Sequence, residues 1–295
     1  MLYYRRKILL ALLEVFGGRV NKIDFQKLLL LFTQNTSKPV YDFLPYQYGC
    51  YSYQANWDLG ALVLRGLIVG TPEAWELKAE NGYLAQLKKE DQAKLWHLFR
   101  SYKGFSTDDL LYLTYTALPY YAIKSKVLKR ILSPTEIEKV KAQKSPRIPP
   151  TLYTIGYEGI SVEKYFNKLI LADVKVLCDV RKNPLSQKYG FSKSTLQTIA
   201  KAMGIKYVHI PELGIASEKR QNLKTQKDYQ QLFEIYADTT LLTAEEHIKV
   251  IFELLKKHRG VALTCFEAHH CQCHRGTLAQ HITQLPEWNA QLKHL

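Results

Sequence analysis

Four short β-rich runs alternate with helical segments in the second half of the chain, and this alternation limits the possible folds more than any other feature. The runs and the clearest helical patterns between them span residues 152–156, 162–171, 174–178, 194–203, 207–210 and 261–265. Strands that alternate with helices are typical of a parallel sheet with helices packed on its faces. The sequence therefore predicts an α/β domain built on a parallel sheet.

Each of the four predicted strands is followed by polar residues. In a parallel sheet the carboxyl ends of the strands lie at one edge, where ligands bind near a switch in strand order. One polar residue at a strand end is usually a turn former or a helix cap, but four such ends together predict a ligand-binding or active site. The residues expected at this edge are Tyr157, Glu158, Asp179, Arg181, His209, Glu212, Cys265 and Glu267.

Two arginines are candidates for binding an anionic group. The planar guanidinium of Arg181 or Arg275 offers a fork of donors that suits a phosphate or a carboxylate. Arg275 is expected in the first turn of the last helix, where free backbone N–H groups add positive potential. An alternative is that Arg275 forms an ion pair with Glu267 and only fastens the loop between them.

Two carboxylates and two histidines are candidates for acid/base chemistry. Asp179 and Glu267, at neighbouring strand ends, would bind a cation or activate water. His209 and His274 would transfer protons, because imidazole titrates near neutral pH. For His209 a purely structural role is an equal alternative.

The segment CFEAHHCQCHR carries the densest chemistry in the chain. Within it lie Cys265, Glu267, His269, His270, Cys271, Cys273 and His274. Thiolates and imidazoles at close spacing bind zinc, but no second ligand pair with the usual spacing occurs elsewhere. We therefore assign no metal ligands and leave the cofactor undefined, with a divalent cation such as zinc as an open alternative. Thiol chemistry at Cys265, beside Arg275, is a further alternative.

The first half of the chain has the element order of a winged helix. Residues 4–32 show two helical patterns separated by Gly17 and Gly18, a third helix is expected over 52–65, and a short β element follows at 66–70. A plain helical bundle is the alternative. The predicted domains are 1–130 (mainly helical, winged-helix-like), a basic proline-containing linker over 131–150, and 151–295 (α/β).

The charge of the chain favours a phosphate-bearing partner. Lys and Arg number 41 against 27 Asp and Glu, which gives a formal net charge of +14. Basic surfaces bind nucleic acid through counterion release, although basic charge also serves solubility alone. Apolar runs are too short to span a bilayer, and no signal peptide is expected. Five cysteines, an odd number, argue against a disulfide scaffold and for a reducing cytoplasm.

Four motifs of the second half resemble the family called domain of unknown function 488 (DUF 488). They are TIGYEG, VLCDVRKNPLSQKYGFSKSTL, GIKYVHIPELG and CFEAHHCQCHR. The resemblance implies a Rossmann-like α/β domain but no established reaction. It assigns the site to Tyr157, Asp179, Arg181, Pro184, Ser186, Phe191, His209, Gly214, Cys265, Glu267, Cys273, His274 and Arg275. Of these, Tyr157, Arg181, Ser186, Arg275, Cys265 and Cys273 are the predicted ligand- or phosphate-binding residues.

The first half resembles the SocA-like antitoxin domain, also called Panacea. The resemblance is carried by DFQKLLLLFTQ, by YDFLPYQYGCYSYQANWDLGALVLRGLI and by LLYLTYTALPYYAIKS. Cys50 stands where that family usually has proline. The resemblance implies a regulatory or protein-binding module and a context in defence or toxin–antitoxin regulation.

Together these features predict a nucleic-acid-associated protein of the cytoplasm. Its α/β domain would bind, and as a hydrolase or other processing enzyme alter, a nucleotide or a nucleic-acid phosphate group. The alternative is a non-catalytic regulator, in which the α/β domain senses a small anionic ligand and the first domain binds a partner protein or an operator. No membrane partner is expected.

Overall fold

The chain divides into two compact units, Met1–Lys144 and Ser145–Leu295. The computed structural model describes residues 2–34, 36, 38–79, 81–146, 149–216, 218, 223 and 225–295. None of the helices in these described ranges combines the length and the apolar character needed to cross a membrane.

The first unit is mainly helical and carries a small antiparallel sheet. Its elements are α1 (Tyr4–Val15), β1 (Arg19–Asn21), α2 (Lys22–Gln34), β2 (Leu44–Tyr46), β3 (Gly49–Tyr51), α3 (Tyr53–Leu64), β4 (Ile68–Gly70), β5 (Ala74–Leu77), α4 (Lys89–Tyr102), α5 (Thr107–Ala117), α6 (Leu128–Ile131) and α7 (Pro134–Lys141). The strands β1, β5 and β4 form a sheet in that order. In a winged helix, a strand between the first two helices pairs with a later hairpin, as β1 does here with the β4–β5 hairpin. A plain helical bundle is therefore excluded.

The helix α1 forms and ends for reasons visible in its sequence. Ile8, Leu9 and Leu12 recur at helical spacing and are fully buried in the core of the unit. Gly17 and Gly18 follow the helix with φ angles of 83° and 81°, a backbone conformation that glycine adopts without strain. The chain therefore turns from α1 into β1 within a few residues.

A glycine within α3 offers a direct test of helix energetics in this unit. A Cβ built on Gly60 meets no other heavy atom within 4 Å. We expect Gly60→Ala to raise the free energy of unfolding by about 0.5–1 kcal/mol, because alanine loses less backbone freedom on folding than glycine does. Urea denaturation of the two proteins measures the difference, and an unchanged or lower stability would contradict the expectation.

The stretch predicted as a linker, 131–150, contains regular structure. It includes α7, whose first turn is capped reciprocally by Ser133 and Glu136. The boundary between the two compact units also falls in this stretch. Arg147 and Ile148 lie outside the described residues.

The second unit is built on a five-stranded parallel sheet. Its elements are β6 (Thr151–Gly156), α8 (Val162–Leu171), β7 (Val176–Asp179), α9 (Lys193–Ala202), β8 (Lys206–His209), α10 (Gln226–Tyr236), α11 (Glu245–His258), β9 (Gly260–Cys265), α12 (His274–Thr283) and β10 (Gln291–His294). The strand order is β10–β6–β9–β7–β8, and every pair is parallel. Every residue of β6, β7 and β9 is buried, as expected for strands covered on both faces. The predicted α/β class with a Rossmann-like parallel sheet is confirmed.

Candidate functional site

The four strand ends singled out in the sequence lie side by side at the carboxyl edge of the sheet. Gly156 at the end of β6 is in register with Cys265 at the end of β9. Asp179 at the end of β7 is in register with Thr264 on one side and His209 on the other. The polar residues that follow these strands are therefore collected at one edge.

Asp179 and Arg181 form a buried ion pair at the centre of this edge. The carboxylate of Asp179 accepts hydrogen bonds from the backbone N–H of Arg181 (3.1 Å), from its Nε (2.8 Å) and from its Nη2 (2.5 Å). The same carboxylate accepts a hydrogen bond from the hydroxyl of Tyr207 at 2.7 Å. Burial alone would lower the pKa of Arg181, but its bonds to Asp179 and the charge of that carboxylate raise it above the usual value. Asp179 thus holds Arg181 in place, and both of its oxygens are engaged.

Arg181 also fixes the loop between β7 and α9. Its Nη1 donates to the hydroxyl of Tyr157 at 2.9 Å and to the carbonyl oxygen of Phe191 at 2.8 Å. The rings of Tyr157 and Phe191 stack with centroids 4.3 Å apart and an interplanar angle of 9°. The guanidinium predicted to clamp an anion is therefore engaged with groups of the protein itself.

Arg275 has a comparable structural task at the start of α12. The residue is 1% exposed, and it donates from Nη1 to the carbonyl oxygen of Glu267 (2.6 Å) and from Nη2 to that of Ala268 (3.0 Å). These contacts hold the loop that follows β9. They agree with the loop-fastening alternative, although the contacts run through backbone carbonyl groups.

Two cysteines and a histidine meet where β9 ends and α12 begins. The Nδ1 of His274 lies 3.8 Å from the Sγ of Cys265 and 3.9 Å from the Sγ of Cys273. The opposite ring nitrogen, Nε2, lies 3.0 Å from the carbonyl oxygen of Val180 and donates to it, because a carbonyl only accepts. Burial and the neighbouring Cys265 raise the pKa of the Cys273 thiol well above its usual value, and the charge of Glu267 adds to this effect.

His209 lies on the outer side of the same edge. Its Nε2 donates to the carbonyl oxygen of Arg181 at 3.0 Å, and its Nδ1 accepts from the Nζ of Lys193, also at 3.0 Å. The imidazole is half-buried and ties β8 to the loop after β7. Both ring nitrogens of His209 therefore have partners within the protein, which agrees with a structural role.

A cleft of about 340 Å³ opens beside these groups. It is lined by Tyr157, Arg181, Lys182, Asn183, Leu185, Ser186, Gln187, Ile215, Cys265 and Phe266. Of the predicted ligand-binding residues, Tyr157, Arg181, Ser186 and Cys265 belong to this lining, whereas Cys273 and Arg275 are buried and are not part of it.

Six further residues of the lining were missed by sequence reasoning: Lys182, Asn183, Leu185, Gln187, Ile215 and Phe266. Phe266 directly follows the predicted strand that ends at Cys265, and Lys182 and Asn183 directly follow Arg181 in the polar segment after β7, so their positions in the chain are the signal that was available. Lys182 and Asn183 are exposed, and the Phe266 ring is 43% exposed and packs edge-to-face on Tyr157 at 5.4 Å. The cleft thus combines a cation, polar donors and an aromatic face.

Comparison with known proteins bears on the second unit. No curated protein matches the chain. One family model matches residues 161–282, a range that begins after β6 and includes α8 through β9 and most of α12. Over this range the chain is similar to the family described as Domain of unknown function DUF488, which supports the resemblance noted in the second half of the sequence.

Proposed function

We propose that the α/β unit binds a phosphate-bearing ligand, either a nucleotide or a segment of nucleic acid, in the cleft at the carboxyl edge of its sheet. The observation that carries this proposal is the composition of the cleft. Lys182, Asn183 and Ser186 line the same cavity as the exposed ring of Phe266. A nucleotide offers the matching pair of surfaces, an anionic phosphate and a flat base.

The loop between β7 and α9 supplies the groups for the phosphate. The ammonium of Lys182 and the side-chain amide of Asn183 are exposed donors. The hydroxyl of Ser186 accepts a hydrogen bond from the backbone N–H of Lys188 at 3.2 Å, which leaves its own proton available for donation. The buried Asp179–Arg181 pair holds this loop and has a positioning role in the proposal.

Phe266 supplies the surface for a base. Stacking of a base on an aromatic side chain contributes about 1–3 kcal/mol in complexes with single-stranded nucleic acid. The ring is oriented by its edge-to-face contact with Tyr157, which itself stacks on Phe191. An oriented, partly exposed ring loses little freedom when a base covers it.

Binding of a labelled single-stranded oligonucleotide and of mononucleotides tests the proposal. We expect Lys182→Gln to weaken oligonucleotide binding about fivefold and to reduce the salt dependence by about one counterion, because one phosphate contact is lost. We expect Phe266→Leu to weaken binding by about 1 kcal/mol or more, because the base loses its stacking partner. Fluorescence anisotropy at several salt concentrations measures both effects.

Lys201→Gln is the matched control for the lysine. Lys201 is exposed in the last turn of α9, and that helix runs from the carboxyl edge of the sheet toward the opposite edge. This variant should bind as the unchanged protein does. If Lys201→Gln weakens binding as much as Lys182→Gln, the basic surface as a whole binds the ligand and the cleft does not. Equal binding of a nucleoside and its nucleotide would also contradict a phosphate site.

A non-catalytic sensor is the second candidate function, and one observation favours it. The carboxylate of Asp179, expected to activate water, accepts four hydrogen bonds from Arg181 and Tyr207 instead. Mass spectrometry of the ligand after incubation with the protein separates the two candidates. If the nucleotide or oligonucleotide is chemically altered, the protein is a processing enzyme. If the ligand is recovered unchanged, the protein is a sensor.

For the first unit we propose a partner-binding role in defence or toxin–antitoxin regulation. The support is the SocA-like sequence resemblance together with the winged-helix arrangement of β1, β4 and β5. In this scheme the first unit binds a partner protein or an operator, and ligand binding in the second unit regulates it.

A further inference from the structure

We propose that Cys265, Cys273 and His274 bind a zinc ion where β9 ends and α12 begins. The two Sγ atoms and the imidazole nitrogen all lie within 4.8 Å of one another. Cys265, Cys273 and His274 are 0%, 2% and 1% exposed. Two thiols and an imidazole gathered in this way form a compact set of soft ligands, which suits zinc.

The two sulfur-to-nitrogen distances fit a tetrahedral ion after a small adjustment. Zinc bonds of about 2.3 Å to sulfur and 2.0–2.1 Å to nitrogen place the sulfur and nitrogen atoms about 3.6 Å apart around a tetrahedron. The Nδ1 of His274 lies 3.8 Å and 3.9 Å from the two Sγ atoms. Each sulfur-to-nitrogen distance therefore needs to shorten by only a few tenths of an ångström for both atoms to reach one ion.

The surroundings of His274 prepare it as a ligand. Its Nε2 donates to the carbonyl oxygen of Val180 at 3.0 Å, so that the lone pair of Nδ1 faces the two sulfur atoms. Metal-binding histidines almost always donate their other ring N–H to a carbonyl or carboxylate in this way, which fixes the tautomer and the ring orientation. This hydrogen bond points to a ligand independently of the spacing of the three atoms.

Charge explains why zinc suits a site that is so deeply buried. Each thiol releases its proton to solvent as a Zn–S bond forms, so two thiolates balance the charge of the ion and nothing is oxidised or reduced. A buried charge without compensation is costly, and with two thiolates the bound ion leaves no uncompensated charge. Calcium and magnesium prefer oxygen ligands, so this set of sulfur and nitrogen donors does not suit them.

The site adjoins the cleft, because Cys265 belongs to both. Three protein ligands with one further position open to water or substrate are characteristic of catalytic zinc, whereas structural zinc sites usually have four. Any ligand in the cleft would therefore lie next to the ion. The zinc site does not depend on the proposed function, since its test measures the metal and not nucleotide binding.

Metal analysis of purified protein variants tests the proposal. We expect about one equivalent of zinc per chain in protein that is produced in zinc-supplemented medium and then purified. Cys265→Ser, Cys273→Ser and His274→Gln should each lose most of that zinc. Cys271→Ser is the matched control, because Cys271 is exposed, lies two residues from Cys273 and is outside the cluster. Equal loss in the control, or zinc retained in all the cluster variants, overturns the proposal.

Cobalt replacement in the unchanged protein provides a test that does not depend on the folding of a variant. Tetrahedral cobalt bound by thiolates shows intense visible bands and a sulfur-to-cobalt charge-transfer band in the near ultraviolet. We expect both on titration with cobalt, with saturation at about one equivalent. Absence of these bands, or mass spectrometry that finds Cys265 and Cys273 joined as a disulfide without metal, overturns the zinc site. Rapid alkylation of Cys265 at neutral pH in metal-treated protein would also overturn the zinc site, because it would show that Cys265 is a free thiol.

Discussion

We expect Asp179→Asn to lower the free energy of unfolding of the α/β unit by about 3–5 kcal/mol, the usual cost of removing one partner from a buried ion pair. Asp179 is 0% exposed and Arg181 5% exposed. Asparagine has nearly the same shape but no charge, so the guanidinium would stay buried without its counter-ion. The hydroxyl of Tyr207 would also lose a charged acceptor.

Urea denaturation combined with amide hydrogen exchange measures this effect. Exchange in peptides from β6, β7 and β9 assigns the transition to the α/β unit, which a single unfolding curve of a two-unit chain does not. The loop between β7 and α9 should lose protection first, because Arg181 anchors it through Phe191 and Tyr157.

Asp173→Asn is the control for this substitution. Asp173 makes an ion pair with Lys175 at 2.5 Å, but the two side chains are 26% and 50% exposed, so the expected change is within about 0.5 kcal/mol. The φ angle of Asp173 is 51°, a conformation that asparagine adopts readily. If the two variants are destabilised equally, burial of the Asp179–Arg181 pair is not what stabilises this edge.

The sheet could be predicted from the sequence to the extent that its strands are buried. β6, β7 and β9 consist of buried residues, and the apolar runs at 152–156, 174–178 and 261–265 located them to within two residues. The edge strand β10 was missed. It reads Gln-Leu-Lys-His with only one half-buried position, and so carries no hydrophobic pattern that separates it from a loop.

The site was predictable in its location but not in its internal pairing. The rule that parallel strands end at one edge placed Asp179, Arg181 and Cys265 together without any knowledge of contacts. Which group bonds to which depends on residues far away in the chain. Arg181 finds its further partners in Tyr157 and Phe191, 24 and 10 positions away.

The cysteine cluster shows the same limit. Cys265 and His274 are nine positions apart, and they meet only because α12 begins beside the end of β9. The partner that orients the imidazole is the carbonyl of Val180, 94 positions away, and a backbone carbonyl has no sequence signal. The motif CFEAHHCQCHR therefore indicated metal-binding chemistry but did not indicate which of its seven candidate side chains would meet.

Gly156→Ala is the second substitution for which we expect a large effect. Gly156 ends β6, and a Cβ at this position would lie 1.8 Å from the carbonyl oxygen of Glu267 and 2.7 Å from its carbonyl carbon. These are backbone atoms and cannot rotate away, so the loop after β9 must move. We expect a loss of about 3 kcal/mol or more in the free energy of unfolding, at the upper end of the range for overpacked sites.

We expect Gly156→Ala to weaken ligand binding as well as stability. A loss of affinity in the folded variant would distinguish this effect from simple unfolding. The carbonyl oxygen of Glu267 accepts from Arg275, and that of Phe266 accepts from the backbone N–H groups of Tyr157 and Glu158. Displacing the loop moves the Phe266 ring from the cleft, so oligonucleotide affinity should fall even at temperatures where circular dichroism shows the variant folded. Gly60→Ala, the same change at a glycine whose Cβ meets nothing, should raise stability and leave binding intact. A Gly156→Ala protein with unchanged stability and affinity would show that the loop after β9 does not pack on the end of β6 and does not shape the cleft.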